Sequence, residues 1–128
     1  MISQKEIDAM IKEPADARFK YTIKRIADWE KLWVIGDGNV FATFSDDENN
    51  IVFPIWPFEE LAQLCCIEEY SQYRPEVMSL DDFLNEFIPD FEKSNYKLSL
   101  LPLSTGKGMA IDISMFKEAL NIELEKYE

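Results

Sequence analysis

Apolar residues recur with a helical period in five segments of the chain. The first segment begins with the capping-box pattern Ser3-Gln4-Lys5-Glu6, and the second follows Pro14, a residue suited to the first turn of a helix. Pro57 and Ser79 mark the starts of two further helices, and a fifth begins near Ser114. The five apolar stripes are Ile7, Met10 and Ile11; Phe19, Ile23, Ile26 and Ala27; Phe58, Leu61, Ala62, Cys65 and Cys66; Leu80, Phe83, Leu84, Phe87 and Ile88; and Phe116, Ala119, Leu120, Leu124 and Tyr127.

Three short apolar runs between the second and third helices predict β-strands. They cover Leu32 to Ile35, Val40 to Phe44 and Ile51 to Ile55, and the first two are separated by the turn sequence Gly36-Asp37-Gly38-Asn39. Asp-Gly between apolar runs is a strong hairpin signal, so the three runs predict an antiparallel meander. Pro54 has no N–H group and is expected at an edge, a bulge or a strand end.

The remaining signals lie in the second half of the chain. Pro89 is expected to kink or end the fourth helix. Tyr96 to Leu103 is typical of a fourth strand, and Thr105 to Gly108 of a turn into the short apolar run Met109 to Ile111. Strands are grouped rather than alternating with helices, which favours an α+β fold. We therefore expect one domain over residues 1–128, in which a small antiparallel sheet packs with about five helices. That sheet would be the three-stranded meander plus one or two further strands.

Charge is distributed unevenly along the 128 residues. The formal net charge is −12, and residues 32–92 hold fourteen acidic residues against the single basic residue Arg74. Such a segment repels nucleic acid and anionic membranes and attracts basic partners. The excess of acidic residues is also explained by the solubility that it gives the protein. The basic residues of the second helix, among them Arg18 and Arg25, are a candidate counterweight within the fold.

Composition also excludes several kinds of chemistry. The chain has no histidine, which excludes a His-ligated metal site and a Ser-His-Asp or Cys-His catalytic unit. Its two cysteines, Cys65 and Cys66, are adjacent and lie on an apolar stripe, so we expect buried thiols rather than a disulfide framework. No apolar run has the length of a signal peptide or a membrane span, and we expect a cytoplasmic protein.

Polar clusters give weak candidates for chemistry. Gly106-Lys107-Gly108 lacks the spacing of a phosphate-binding loop, and the acidic loop at residues 46–50 lacks the ligand spacing of a calcium loop. Asp81 and Asp82 are more simply explained as favourable charges at a helix N-terminus than as an acid–base pair. We therefore predict no catalytic residues, no metal site and no cofactor.

The aromatic residues around the predicted meander have two interpretations. Trp29, Trp33 and Trp56 flank it, and Pro54-Ile55-Trp56-Pro57 occupies a junction between a strand and a helix. These rings either belong to the core or its rim, or form a groove that binds a partner.

The order of these motifs resembles one known family. The resemblance rests on Pro14-Ala15 with Arg18-Phe19-Lys20-Tyr21, Ile23 to Asp28, Leu32-Trp33, Pro54-Ile55-Trp56-Pro57, and Leu80 to Leu84. Together they are similar to the bacterial family called domain of unknown function 2750, and the Pro-x-Trp-Pro junction is the most specific part. The resemblance implies a small, stand-alone bacterial cytoplasmic protein, and it implies no catalytic residues because the family has none assigned.

Two hypotheses for function follow. The first is a non-enzymatic acidic module that binds a basic protein, one version being an immunity-like inhibitor of a basic toxin. Its candidate interaction face is Trp33, Asp46, Asp47, Glu48, Pro54, Trp56, Pro57, Glu59, Glu60, Glu68 and Glu69. The second is a small-molecule-binding domain or enzyme with a pocket between sheet and helices. A homodimer through an apolar helix or a strand edge is compatible with either, whereas nucleic acid and membranes are not expected partners.

Overall fold

A computed structural model of the chain describes residues 2–104 and 108–126. Its helices are α1 (Gln4–Lys12), α2 (Ala15–Trp29), α3 (Glu59–Gln63), α4 (Leu80–Asp82), α5 (Ile88–Lys93) and α6 (Ile113–Glu125), with a 3₁₀ turn at Glu68–Tyr70. Its strands are β1 (Lys31–Gly36), β2 (Phe44–Ser45), β3 (Ile51–Ile55), β4 (Arg74–Ser79), β5 (Lys97–Leu100) and β6 (Ala110–Ile111). Residues 105–107 of the predicted 105–108 turn and Tyr127 of the last stripe lie outside the described residues. Within the described part of the chain, no helix has the length and apolarity that crossing a bilayer requires.

Local sequence signals set the helix starts. The Ser3 hydroxyl accepts the N–H of Glu6 at 3.2 Å, and the Ser79 hydroxyl accepts the N–H of Asp82 at 3.1 Å. Both contacts satisfy a backbone donor that a helix leaves unpaired in its first turn. The two predicted N-caps are therefore confirmed.

Pro89 was expected to kink or end the helix after Ser79, and the structure shows that the helix does not end there. A π-helical segment, Phe83–Phe87, joins α4 to α5, and Pro89 is the second residue of α5. The bonding pattern changes just before the proline, so Pro89 occupies a position equivalent to a first turn, where a missing N–H is tolerated. The helical path continues to Lys93 instead of ending at the proline.

The strands form two sheets, which confirms the α+β class. In the smaller sheet β1 pairs antiparallel with β4, with Trp33 opposite Val77. The larger sheet has the order β2-β3-β5-β6; β3 and β5 are parallel, and the other two pairs are antiparallel. The backbones of Trp33 and Trp56 exchange two hydrogen bonds, of 2.8 and 2.9 Å, and so join the two sheets.

The predicted antiparallel meander is wrong in its pairing. The main partner of β1 is β4, a strand that the sequence pattern did not predict. Of the middle run only Phe44 belongs to a strand, which it forms with Ser45. A remnant of the expected hairpin remains, because the N–H of Ala42 donates to the carbonyl of Ile35 at 2.9 Å. The parallel pairing of β3 with β5 follows from the long connection through α3, β4 and the α4–α5 helix.

Two apolar clusters fill the interior. The larger one contains side chains of α2, β1, β3, α5, β5 and α6, and its fully buried rings include Phe83 and Phe116. The second lies between α1, α3 and the end of β3 and is built around Trp56. Cys65 and Cys66 belong to this second cluster, which confirms that they are buried.

Arg18 connects the two helices at the N-terminus to the rest of the fold. Only 6% of its surface is exposed, and burial lowers the pKa of its guanidinium from the ordinary value. Its Nε–H donates to the carbonyl of Leu101 at 2.9 Å, and its Nη1–H donates to the carbonyl of Glu13 at 2.7 Å. Leu101 has a positive φ of 56°, a conformation that costs a leucine energy unless its surroundings hold it. Arg18 therefore stabilises both the end of α1 and this strained residue.

Candidate interaction surface

The junction of proline and tryptophan lies inside the protein. Pro54, Trp56 and Pro57 are buried, and the exposed fraction of Trp56 is 0%. The indole Nε1–H of Trp56 donates to the carbonyl of Pro102 at 3.1 Å, while its backbone pairs with Trp33. The prediction that these three residues form an exposed docking face is wrong, because their side chains complete the second core cluster.

Trp29 is the most exposed of the three tryptophans. It is 47% exposed at the end of α2, and its ring meets the edge of Phe58 at a centroid distance of 5.8 Å. The ammonium of Lys31 lies 5.4 Å from the ring centroid of Trp29, a favourable cation–π distance. Trp33, the tryptophan in the predicted face, is half-buried and packs against the second core.

The loop between β2 and β3 is organised by Asp46. Its Oδ1 accepts the backbone N–H groups of Glu48 at 2.9 Å and Asn50 at 2.8 Å, and its Oδ2 accepts the Asn50 side-chain amide at 3.0 Å. These bonds, first those from Asn50, hold the pKa of Asp46 below its ordinary value. Asp46 thus shapes the loop, while Asp47 and Glu48 are exposed on it.

A half-buried aromatic group lies beside two exposed glutamates. The ring of Tyr70 contacts Phe44 at 5.2 Å and Tyr73 at 5.8 Å between centroids, and its hydroxyl donates to the carbonyl of Thr43 at 3.4 Å. Burial, followed by the charge of Glu69, raises the pKa of Tyr70. We call the group formed by Phe44, Glu68, Glu69, Tyr70 and Tyr73 the Tyr70 surface.

The Tyr70 surface brings together only part of the predicted face. The contact of Tyr70 with β2 places Glu68 and Glu69 beside the strand that leads into the 46–48 loop. Glu59 and Glu60 belong to the first turn of α3, next to Phe58, and no described contact connects them to Tyr70. The three rings of the surface were missed because Phe44 was read as a strand residue and the segment around Tyr70 has no periodic pattern.

The described basic residues do not neutralise the glutamates of the Tyr70 surface. Arg18 donates to backbone carbonyls, and Arg25 lies 3.6 Å from Glu6 of α1, so neither neutralises the acidic middle of the chain. Lys97 is close enough to the 46–48 loop for Asp46 and Glu48 to help raise its pKa, but its first partner is Asp112, at 2.6 Å. Among the described residues, no ion pair involves Glu59, Glu60, Glu68 or Glu69. Arg18 and Arg25 of α2, which were expected to balance the acidic segment, therefore contact groups outside that segment.

In one surface pocket the charged groups are already paired. One pocket of about 480 Å³ lies between β5, the end of α5 and the start of α6. Its charged residues are Lys97 and Asp112, which bind each other, and Glu92, which pairs with Lys117 at 3.2 Å. Such a pocket offers polar contacts but no charge free to bind or activate a substrate.

Among the described residues, the Cys65 thiol is a poor nucleophile and the carboxylates form no group that would hold a metal ion. Burial raises the pKa of Cys65 to about 11, and its Sγ–H donates to the carbonyl of Pro102 at 3.3 Å. A thiol of this kind is protonated at neutral pH and is a poor nucleophile. Over residues 2–104 and 108–126, no three Cys, Asp or Glu side chains are grouped in a way that would hold a metal ion.

Comparison with known proteins gives one match. The family model described as Protein of unknown function (DUF2750) matches residues 19–120. No curated protein and no solved structure matches the chain. The matched range includes the aromatic rings and carboxylates of the Tyr70 surface.

Proposed function

This chain belongs to the DUF2750 family of proteins of unknown function, and we propose that it is a non-enzymatic module that binds a basic protein on the Tyr70 surface. The observation that carries the proposal is the uncompensated pair Glu68 and Glu69 beside three half-buried rings. Neither glutamate takes part in an ion pair with a described residue. The acidic groups are therefore available to a partner from outside the chain.

The combination of rings and carboxylates suits Lys and Arg side chains. Carboxylates accept charge-assisted hydrogen bonds from Arg and Lys, and the faces of Tyr and Phe rings attract the same cations. Large rings also supply contact area with few rotatable bonds, which is why Tyr and Trp are frequent among the residues that dominate binding energy. The net charge of −12 adds an attractive field that accelerates association with a cationic protein.

An immunity-like inhibitor of a basic toxin is the more specific form of this proposal. This form requires a toxin with a cationic active site into which Glu68 and Glu69 insert. A toxin gene next to the gene for this protein would support it. The alternative of an enzyme or small-molecule binder gains less support. The 480 Å³ pocket holds charged groups that already bind one another, and Cys65 is protonated.

The test compares two variants with equal changes of charge. Glu68→Gln with Glu69→Gln removes two charges from the Tyr70 surface, and Glu118→Gln with Glu125→Gln removes two from the exposed side of α6. Each tagged protein is incubated with the soluble extract of the native host, and captured proteins are quantified by mass spectrometry across a salt series. We expect one basic protein to be captured by the wild-type and α6 variants, to be lost from the first variant, and to be released by salt. Equal capture by both variants, or no basic protein captured, would overturn the proposal.

A further inference from the structure

Strand β4 presents a free backbone edge, and the bonding of β1 shows which groups face it. The N–H and C=O of Trp33 both bind Trp56, so they point away from β4. Val77, opposite Trp33 in the register, must then direct its own N–H and C=O away from β1, because paired residues in an antiparallel ladder alternate in this way. The N–H of Leu80 supports this alternation, since it donates back to Glu30 beside β1 at 2.9 Å.

The outward groups of β4 therefore belong to Pro75, Val77 and Ser79. Pro75 supplies a carbonyl but no N–H, and Val77 supplies both groups. Ser79 supplies an N–H and a carbonyl, and its hydroxyl caps α4 by accepting the N–H of Asp82 at 3.1 Å. Among the described residues, none bonds to the backbone N–H groups of Val77 and Ser79 on this side, and the Val77 side chain is 56% exposed.

We propose that this edge pairs with the same edge of a second copy of the chain, antiparallel and with the two-fold axis at Val77. Each Val77 then donates to the carbonyl of the other, and each Ser79 N–H donates to the carbonyl of Pro75 of the other copy. Four hydrogen bonds form, and the sheet becomes continuous from β1 of one copy to β1 of the other.

Self-pairing suits this edge better than pairing with an ordinary strand. A longer, ordinary strand would place a carbonyl opposite Pro75, which has no N–H to donate to it, and would continue past Ser79, where β4 ends and α4 begins. A second copy in this register places Pro75 opposite Ser79, the last residue of β4, so the missing N–H of Pro75 falls at the two ends of the four-bond ladder and not in its middle. The edge is thus complementary to itself.

Charge adds a second argument for the same register. Arg74, the single basic residue of the segment 32–92, is at the start of β4, and Asp81 and Asp82 directly follow its end. All three are exposed and form no ion pair with a described residue. Antiparallel pairing about Val77 places Arg74 opposite Leu80 of the second copy, next to Asp81. Opposite charges therefore meet at both ends of the paired strands.

The competing interpretation is that Pro75 and Arg74 protect the edge from pairing. Proline and charged residues on edge strands are common devices against aggregation. That interpretation predicts a monomer at every concentration and no protection of the outward amides. The proposal does not rest on the Tyr70 surface, since it uses residues outside that surface and a different partner.

The first measurement is sedimentation velocity combined with amide hydrogen exchange from low to high micromolar concentration. We expect a concentration-dependent shift from the 15.0 kDa monomer to a dimer. The amides of Val77 and Ser79 should gain protection in parallel with dimer formation, whereas that of Met78, which already faces β1, should not change. A monomer throughout, or protection that does not follow this alternation, would refute the pairing.

Two sets of variants test the register. Val77→Cys places two thiols across the axis, at a Cα separation of about 5.5 Å that permits a disulfide. Its matched control is Val40→Cys, at an equally exposed valine (57%) outside β4. Under mild oxidation we expect covalent dimer from the first variant only; equal rates would refute the register. Arg74→Asp should weaken the dimer, and adding Asp81→Arg should restore it, while failure of this rescue would contradict the proposed charge contact.

Discussion

The three tryptophans provide a direct test of which aromatic residues belong to the core. Trp56 is 0% exposed and donates to Pro102, Trp33 is half-buried, and Trp29 is 47% exposed. Replacement of a buried Trp by Ala typically costs about 3 to 5 kcal/mol, and the lost hydrogen bond contributes about 1 kcal/mol of such a change. The Pro102 carbonyl keeps the Cys65 thiol as a donor, which limits that second contribution.

We therefore expect Trp56→Ala to lower the free energy of unfolding by about 4 kcal/mol, Trp33→Ala by about 2, and Trp29→Ala by less than about 1. A chain of 128 residues has a total stability of about 6 to 19 kcal/mol, so the first change removes a large share of it. The assay is urea unfolding followed by far-UV circular dichroism, with midpoints and slopes compared between variants. If Trp56→Ala does not fold, Trp56→Phe should still unfold at a lower urea concentration than wild type. The reasoning is refuted if Trp29→Ala costs as much as Trp56→Ala.

Three further predictions concern buried polar groups. Arg18→Lys should lower the free energy of unfolding by about 1 to 3 kcal/mol in urea titrations, because an ammonium does not reproduce the two divergent donors that reach the carbonyls of Glu13 and Leu101. Ser99→Ala should leave stability unchanged or raise it by about 1 kcal/mol in the same assay, because the buried Ser99 hydroxyl has no described partner; a clear loss of stability would reveal a bond that this geometry lacks. In a Cys66→Ala background, the alkylation rate of Cys65 should rise about tenfold per pH unit from pH 8 to 10 without reaching a plateau, because its pKa of about 11 keeps the thiolate scarce. Since that pKa is raised on folding, the unfolded state releases the proton first, and the thiol's contribution to stability should decrease as the pH rises from about 9 toward 11.

Local sequence signals predicted the helices because those signals act within one turn. The hydroxyls of Ser3 and Ser79 cap helices as expected, and the apolar stripes of α2 and α6 face the larger core. The stripe that ends at Cys66 marked burial correctly, although α3 itself ends at Gln63. Apolar spacing thus reported the buried face more accurately than the length of the helix.

Strand pairing was beyond these signals because it depends on distant segments. β1 and β4 are separated by most of the acidic middle of the chain, and β4 contains Pro75 and Glu76 instead of a regular alternation. The pattern gave no reason to expect a strand there. The hairpin signal at Gly36-Asp37-Gly38 therefore led to the prediction that β1 pairs with the next apolar run along the chain. The same limitation hid the aromatic contacts of Tyr70, which join a strand and a 3₁₀ turn far apart in sequence.

The candidate face was predicted in part for a similar reason. The exposed positions of Glu59, Glu68 and Glu69 follow from charge, which sequence reports directly. Whether Trp56 is at the surface depends on what covers it, and its cover comes from α3 and the segment around Pro102. Composition therefore located the charge of the surface but not its aromatic component.

Arg74 connects the two proposals and separates their consequences. It directly follows Tyr73 of the Tyr70 surface, and it is the first residue of the β4 edge. In the monomer its positive charge reduces the negative field around Glu68 and Glu69; two charges about 10 Å apart in water interact by about 0.4 kcal/mol, which corresponds to roughly a twofold change in affinity. In the proposed dimer the same guanidinium would lie beside Asp81 of the second copy. Arg74→Gln should therefore strengthen binding of a basic partner by about twofold while it weakens the dimer, and calorimetry of the first and sedimentation of the second should show changes of opposite sign. Changes of the same sign in both assays would mean that Arg74 acts through the folding of the segment, and would contradict its assignment to two separate surfaces.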